Sequence, residues 1–198
     1  DDLGGSTINQ HGFLWSSSNN DPVFAPPVPA YEWKLNDNAA NTTVADSYGS
    51  NTGTSAINTS LLTSTGKINS AFNMNGTSDY VYSTTSISNP QLFSVSLWFK
   101  TSTASGKKIF GFESSRTGTG STSYDRSIWI GTDGKIRFGI YNGSAQTVTS
   151  LNALNDNNWH NIVAIYNAGS LSMYIDNVSQ GTASGTASTY SGYGRIGG

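Results

Sequence analysis

Apolar residues recur at every second position through much of this chain, a spacing that sends alternate side chains to opposite faces of a β-strand. Phe93, Val95, Leu97 and Phe99 fall on one side of such a strand, with Ser94, Ser96, Trp98 and Lys100 on the other. The pattern predicts further strands at Tyr31–Leu35, Lys67–Met74, Tyr80–Tyr82, Lys107–Phe112, Ser127–Gly131, Lys135–Tyr141, Trp159–Tyr166 and Leu171–Asp176. Turn residues separate them. Asn75-Gly76 and Asp133-Gly134 suit tight turns because both positions tolerate positive φ, and Asn167-Ala-Gly-Ser170 closes another hairpin. No window carries a 3.6-residue period, so many short strands without helices predict an all-β sandwich or barrel. Its core is expected to hold Phe93, Val95, Leu97, Ile136, Phe138, Ile140, Val163, Ile165, Leu171, Met173 and Ile175, with Trp33, Trp98 and Trp159 packed against them.

The first 29 residues read differently. Asn19-Asn-Asp-Pro22 is a turn, and Ala25-Pro-Pro-Val-Pro29 is a stiff, extended connector. Residues 1–29 are therefore expected to pack little against the sandwich, which occupies 30–198. The preceding stretch "NQHGFLWSSSNNDP" resembles a strand and turn repeated in bacterial immunoglobulin-like or fibronectin-like surface modules. That resemblance makes it the trailing part of a preceding module. The chain opens on Asp1 with no leader before it, and is expected to be a processed or excerpted piece.

Composition sharpens the picture. The 198 residues suit one sandwich plus an appendage. Only 11% are charged and the net charge is −2, with no basic run, so nucleic acid is not an expected partner. No apolar stretch reaches the roughly 20 residues of a membrane helix, so no membrane insertion is expected. There is no cysteine, hence neither a disulfide framework nor a thiolate metal site. An aromatic content of 12% amid abundant Gly, Ser, Thr and Asn fits a thin sandwich core with many turns.

Five segments appear in a telling order: "GKINSAFNMNGTSDYVY" from Gly66, "SVSLWFKT" from Ser94, "TDGKIRFGIYNG" from Thr132, "NDNNWHNIVAIYN" from Asn155 and "LSMYIDN" from Leu171. Together they resemble the laminin-G-like jelly roll of the concanavalin A-like superfamily over about Tyr31 to Gly198. The resemblance implies two curved antiparallel sheets with loops along one rim, and glycan or protein binding as in many members. It also implies a last strand beyond Gly198, near the first.

The superfamily includes glycoside hydrolases, whose retaining members need two carboxyl groups about 5 to 5.5 Å apart. Glu32 and Glu113 are the only glutamates, and neither has an acidic residue two or four positions away. His11 and His160 are the only histidines, the latter in a Trp-His pair that the resemblance makes structural. The expectation is a protein without catalysis. Calcium is the candidate cofactor, because Asp and Asn in irregular loops supply its oxygen ligands. Asp125 sits where pentraxin-like members carry a calcium-ligating acid. Asp46 and Asp79 lie in loops used by some laminin-G-like modules. The alternative is that these acids cap their own turns, as turn Asp residues commonly do. Asp176 reads as an ordinary turn residue.

For a glycan, flat rings and planar polar groups are needed. Trp129, Arg137 and Tyr141 share one strand face by alternation, and Tyr124 and Arg126 stand beside Asp125 at the mouth of a long polar loop. The competing reading makes Trp129 and Tyr141 filler on a half-buried sheet, with Arg137 solvated. Gly192-Tyr-Gly-Arg-Ile-Gly197 matches a dinucleotide fingerprint without the βαβ context that would give it meaning. The sequons at Asn41, Asn58, Asn75, Asn142 and Asn177 are what so much Asn, Ser and Thr yields by chance. The leading function is non-catalytic recognition of a glycan or surface protein, on an extracellular, cell-surface or virion protein with neighbouring domains. The rival is a structural spacer or decoration domain, possible also as a homo-oligomer.

Overall fold

The computed structural model describes residues 29–104, 106–118 and 121–198, together with the backbone of β1 (Thr7–Ile8) and β2 (Leu14–Trp15), which pair antiparallel. The expectation that the first 29 residues pack little against the sandwich falls on side chains outside the described residues. The other strands are β3 (Thr43–Val44), β4 (Gly53–Ser55), β5 (Thr63–Thr65), β6 (Ser70–Phe72), β7 (Tyr80–Ser83), β8 (Leu92–Phe99), β9 (Lys108–Glu113) and β10 (Tyr124–Ile130). They continue with β11 (Lys135–Tyr141), β12 (Ala145–Ala153), β13 (His160–Asn167), β14 (Ser170–Ile175), β15 (Val178–Ser184) and β16 (Tyr193–Gly197). One 3-10 turn, Thr59–Leu61, interrupts them. Among the described residues no helix is long and apolar enough to cross a membrane.

Every strand pair is antiparallel, and two sheets form a jelly-roll sandwich. The large sheet runs β12-β11-β10-β9-β16-β7-β4-β3, and the small one β15-β14-β13-β8. Hairpin β5–β6 stands apart. The core between the sheets contains Ile128, Ile130, Ile136, Phe138 and Ile140 from the large sheet. From the small sheet come Ile162, Ala164, Tyr166, Leu171, Met173 and Ile175, with Phe93, Val95 and Leu97 partly buried against them.

Two expectations about the core need correction. Val163 and Ile165 are half-exposed on the outer side, while Ile162, Ala164 and Tyr166 are fully buried. Residues paired across antiparallel strands share a face, and Ile162 pairs Leu97, Ala164 pairs Val95 and Tyr166 pairs Phe93. Ile162 to Tyr166 is apolar at every position, so alternation within β13 does not show which parity points inward. Trp98 is likewise not a core residue: it pairs Asn161 on the outer face, 45% exposed, with Lys67 Nζ 5.3 Å above its ring. Trp33 and Trp159 are half-buried.

The Tyr31–Leu35 strand is also absent. It shrinks to a single bridge between Trp33 and Asp46, because Leu35 turns into positive φ at 53°. Two long strands escaped the alternation pattern. β12 (AQTVTSLNA) and β15 (VSQGTAS) are strands at sheet edges, where solvent tolerates Thr, Ser and Gln on both sides.

Candidate binding face on the large sheet

The pairing registers place a set of non-core side chains on the outer face of the large sheet. Trp129 lies at the centre of β10, opposite Lys108 of β9 on one side and Arg137 of β11 on the other. Gly111 pairs Arg195 and is covered by Lys108, whose Cδ lies 3.0 Å from where a Cβ would stand, while Ser127 pairs Gly139, which leaves a place beside Trp129. The Trp129 ring uses that space: a Cβ added to Gly139 would stand 3.0 Å from its Cη2 and 2.8 Å from Thr147 Cγ2. Tyr124 pairs Glu113 and is 68% exposed, while Tyr141 continues the Arg137–Gly139 parity and is 51% exposed. Four of the expected ligand residues, Tyr124, Trp129, Arg137 and Tyr141, therefore share one face. Asp133 in the β10–β11 turn grips Arg137 through two bonds of 2.9 and 2.7 Å, which hold the Asp133 carboxyl far below its ordinary pKa.

Arg126 is not on that face. It is 1% exposed and adopts φ 50°, a conformation few non-glycine residues take, so the bulge there turns it inward. Its guanidinium lies between the rings of Phe112 and Tyr190, 5.1 and 5.2 Å from their centroids, and pairs with Asp125. Nε donates to Pro90 O at 2.9 Å and Nη2 to Ser188 O at 2.7 Å. A polar residue beside an exposed Tyr gives no sign in the sequence of such a bulge.

The same burial bears on calcium. Asp125 accepts from the Tyr190 hydroxyl at 2.9 Å and from Ser188 N at 3.1 Å, besides its ion pair with Arg126. Asp46 accepts from four backbone N–H groups, those of Glu32, Tyr48, Gly49 and Asn51. Burial pushes its pKa up, yet these donors outweigh it and hold it at about 2. Asp79 is buried and accepts from Asn75 N at 3.0 Å. A carboxylate ringed by N–H donors is placed as a turn cap, not as a cation ligand. Among the described residues no three His, Cys, Asp or Glu converge in a way that would hold a metal. In this structure Asp125 and Asp46 are thus engaged by donors of their own chain, and Asp79 by one backbone N–H.

The sequence left Glu113 isolated, but the fold surrounds it. On the outer face it pairs with Lys108 and with Arg195 Nη1 at 2.9 Å, and it accepts from Ser121 Oγ at 2.9 Å. Arg195 Nη1 also donates to Gly118 O at 2.9 Å, so both ends of this pair hold the β9–β10 connection down over β16. Burial raises the Glu113 pKa, and the two cations and the hydroxyl lower it by more. Arg195 lies over Tyr80, its Cζ 4.5 Å from the ring centroid, and Arg116 stands 5.6 Å from that of Tyr193. Tyr80, Tyr82, Tyr193, Arg195 and Lys108 are face residues that sequence reasoning missed. They come from strands far apart in the chain, and only the order β9-β16-β7 brings them together.

A family model described as the concanavalin A-like lectin/glucanases superfamily matches residues 75–197. The chain belongs to this superfamily. Its described members include lectins and glucanases, so the fold is compatible with binding or catalysis. The mouse laminin α1 chain, domains LG4-5, is 19% identical over 59% of this chain and 36% of that one, with a TM-score of 0.42. A heptameric SAP-like pentraxin from Limulus polyphemus is 14% identical over 63% and 59%, at 0.46. Domain 4 of AbnA, an extracellular arabinanase from Geobacillus stearothermophilus, is 17% identical over 67% and 64%, at 0.50. The chain thus spans less than two thirds of each. No curated protein matches it.

Proposed function

We propose that this chain is a non-catalytic glycan-recognition module, displayed outside the cell or on a virion, whose ligand lies along the outer face of the large sheet. The observation that carries this reading is Trp129 flanked by Arg137 and Lys108 and set beside Gly139 and Ser127. A sugar ring offers an apolar face for an aromatic side chain and hydroxyls for planar donors. Domain 4 of the arabinanase, which shares the fold, was solved in complex with arabinotriose, which supports this ligand class.

The ionic partners of Glu113 support the non-catalytic part. A general acid must hold its proton near neutral pH, whereas Lys108 and Arg195 keep this carboxyl ionised. Calorimetry and glycan-array binding test the reading. The doubly changed Tyr124→Ala, Trp129→Ala protein should lose roughly tenfold or more in affinity, about 1.4 kcal/mol. Unchanged affinity removes this face as the site. Release of reducing sugar that Glu113→Gln abolishes would make the protein a hydrolase instead.

The spacer reading draws on a different surface. Leu92, Trp98 and Tyr174 are exposed on the outer side of the small sheet, beside half-exposed Val163 and Ile165. An oligomer in sedimentation that Trp98→Lys disperses, together with an array that binds nothing, would favour it.

A further inference from the structure

The chain holds two Asn-Gly pairs, Asn75-Gly76 and Asn142-Gly143, and the fold treats them in opposite ways. At the first, Asn75 Oδ1 accepts from the backbone N–H groups of Thr77, Ser78 and Asp79 at 2.9, 2.9 and 3.1 Å, and Nδ2 donates to Ser78 Oγ at 2.9 Å. The Asn75 N–H donates in turn to Asp79 Oδ2 at 3.0 Å, and Asp79 is buried. The second pair forms the turn between β11 and β12, beyond their last paired residues, Tyr141 and Ala145. Asn142 and Gly143 are exposed there, and Asn142 lines an open polar cleft beside Gln146. Among the described residues the only hydrogen bond of Asn142 is a long one, from its N–H to Ser144 O at 3.3 Å, and the Gly143 N–H has no acceptor. Gly143 adopts φ 81°, with nothing within 4 Å of where a Cβ would stand.

We infer that Asn142 is a site of spontaneous deamidation, and that its turn holds Asn75 back from the same reaction. Hydroxide takes the Gly143 amide proton, and that nitrogen attacks Asn142 Cγ to close a cyclic imide. The Cγ–Nδ2 bond breaks, and Nδ2 leaves as ammonia after taking a proton from water. Water then opens the ring. Attack at Cγ gives an aspartyl residue, and attack at the main-chain carbonyl gives an isoaspartyl one; nothing is oxidised or reduced. A glycine nitrogen is the one that no neighbouring Cβ crowds. A loop tip with so few bonds opens at little cost, which lets the Asn142 side chain swing onto the Gly143 nitrogen. Asn75 must first release three N–H donors and Ser78 Oγ. The product adds one negative charge to a chain of net charge −2 and, in the isoaspartyl form, one carbon to the main chain directly after the half-exposed Tyr141. This reaction proceeds whatever the outer face binds.

The experiment is incubation of the whole chain at mildly alkaline pH, followed by peptide mapping with mass spectrometry, which reads the mass gained as an amide becomes an acid. In the folded protein, conversion at Asn142 should outrun that at Asn75 by roughly tenfold or more, since Asn75 reacts only from an opened turn. In concentrated urea both turns are gone, and the two sites should convert at similar rates. The aspartyl and isoaspartyl products elute as separate peptides of one mass, which assigns the imide route. Equal conversion of the two sites in the folded protein overturns the inference. So does an Asn142 that converts in urea and stays intact in the folded chain. A difference that persists unchanged in urea overturns it too, because the fold then has no part in the choice.

Discussion

The guanidinium of Arg126 donates to the carbonyl of Ser188, 2.7 Å away, although 62 residues separate them in the chain. Ser188 lies in the crossover from β15 of the small sheet to β16 of the large one, and Pro90, also bonded by Arg126, leads into β8. One buried cation thus ties both sheets together. Removing it strands the Asp125 carboxylate in the interior. Arg126→Ala should cost about 3 to 5 kcal/mol in urea unfolding, and a paired Arg126→Met, Asp125→Leu change should recover much of that loss. A loss below 1 kcal/mol would show that the ion pair bears little of the seam.

A second prediction concerns pH. His160 Nδ1 faces Asp176 at 2.7 Å and Nε2 faces Asp156 at 3.1 Å, with the Phe99 ring alongside. Burial lowers the imidazole pKa, but the two carboxylates outweigh it and raise the value above 6.5. A raised cationic pKa contributes stability that is whole below pH 6.5 and is lost as pH rises through the folded value. Urea midpoints should therefore fall between pH 6 and pH 9 by an amount worth under about 1 kcal/mol, since both carboxylates are half-exposed. His160→Gln should remove this component of the slope. In acid the same cluster weakens from its other side, as Asp156, held at about 2 chiefly by its bond from Asn158, takes up a proton.

The parity of β13 gives a third. Ile162→Ala opens a cavity between the sheets and should cost roughly 2 to 5 kcal/mol, whereas Val163→Ala on the outer side should cost under about 1 kcal/mol. The reverse order in chemical denaturation would mean that β13 is turned over.

Gly139 gives a fourth. An added methyl meets Thr147 Cγ2 at 2.8 Å, Trp129 Cη2 at 3.0 Å and the backbone oxygen of Gln146 at 3.1 Å, so Gly139→Ala should move the Trp129 ring, lower glycan affinity severalfold and cost about 1 to 3 kcal/mol in stability. Unaltered affinity would mean that the ring position is immaterial to binding.

Much of this molecule was legible in its sequence. Alternation located β8, β11 and β14, and Asp133-Gly134 marked its hairpin, with Gly134 at φ 73°. The shared face of Trp129, Arg137 and Tyr141 also followed from period two. The inward turn of Arg126 was hidden because one bulged residue reverses the alternation after it. The Glu113–Lys108–Arg195 cluster was hidden for a different reason: β9 and β16 are neighbours in space although the paired positions Phe110 and Ile196 lie 86 residues apart, and local pattern is blind to strand order.

The placement of Arg126 between Phe112 and Tyr190 has one more consequence, in the time domain. Guanidinium protons in water are replaced by solvent deuterons quickly, but those of Arg126 are bonded to Pro90 and Ser188 and screened by two rings. They exchange only when the crossover lifts off β10, so their nuclear magnetic resonance signals act as a clock for that opening, separate from the backbone amides of either sheet.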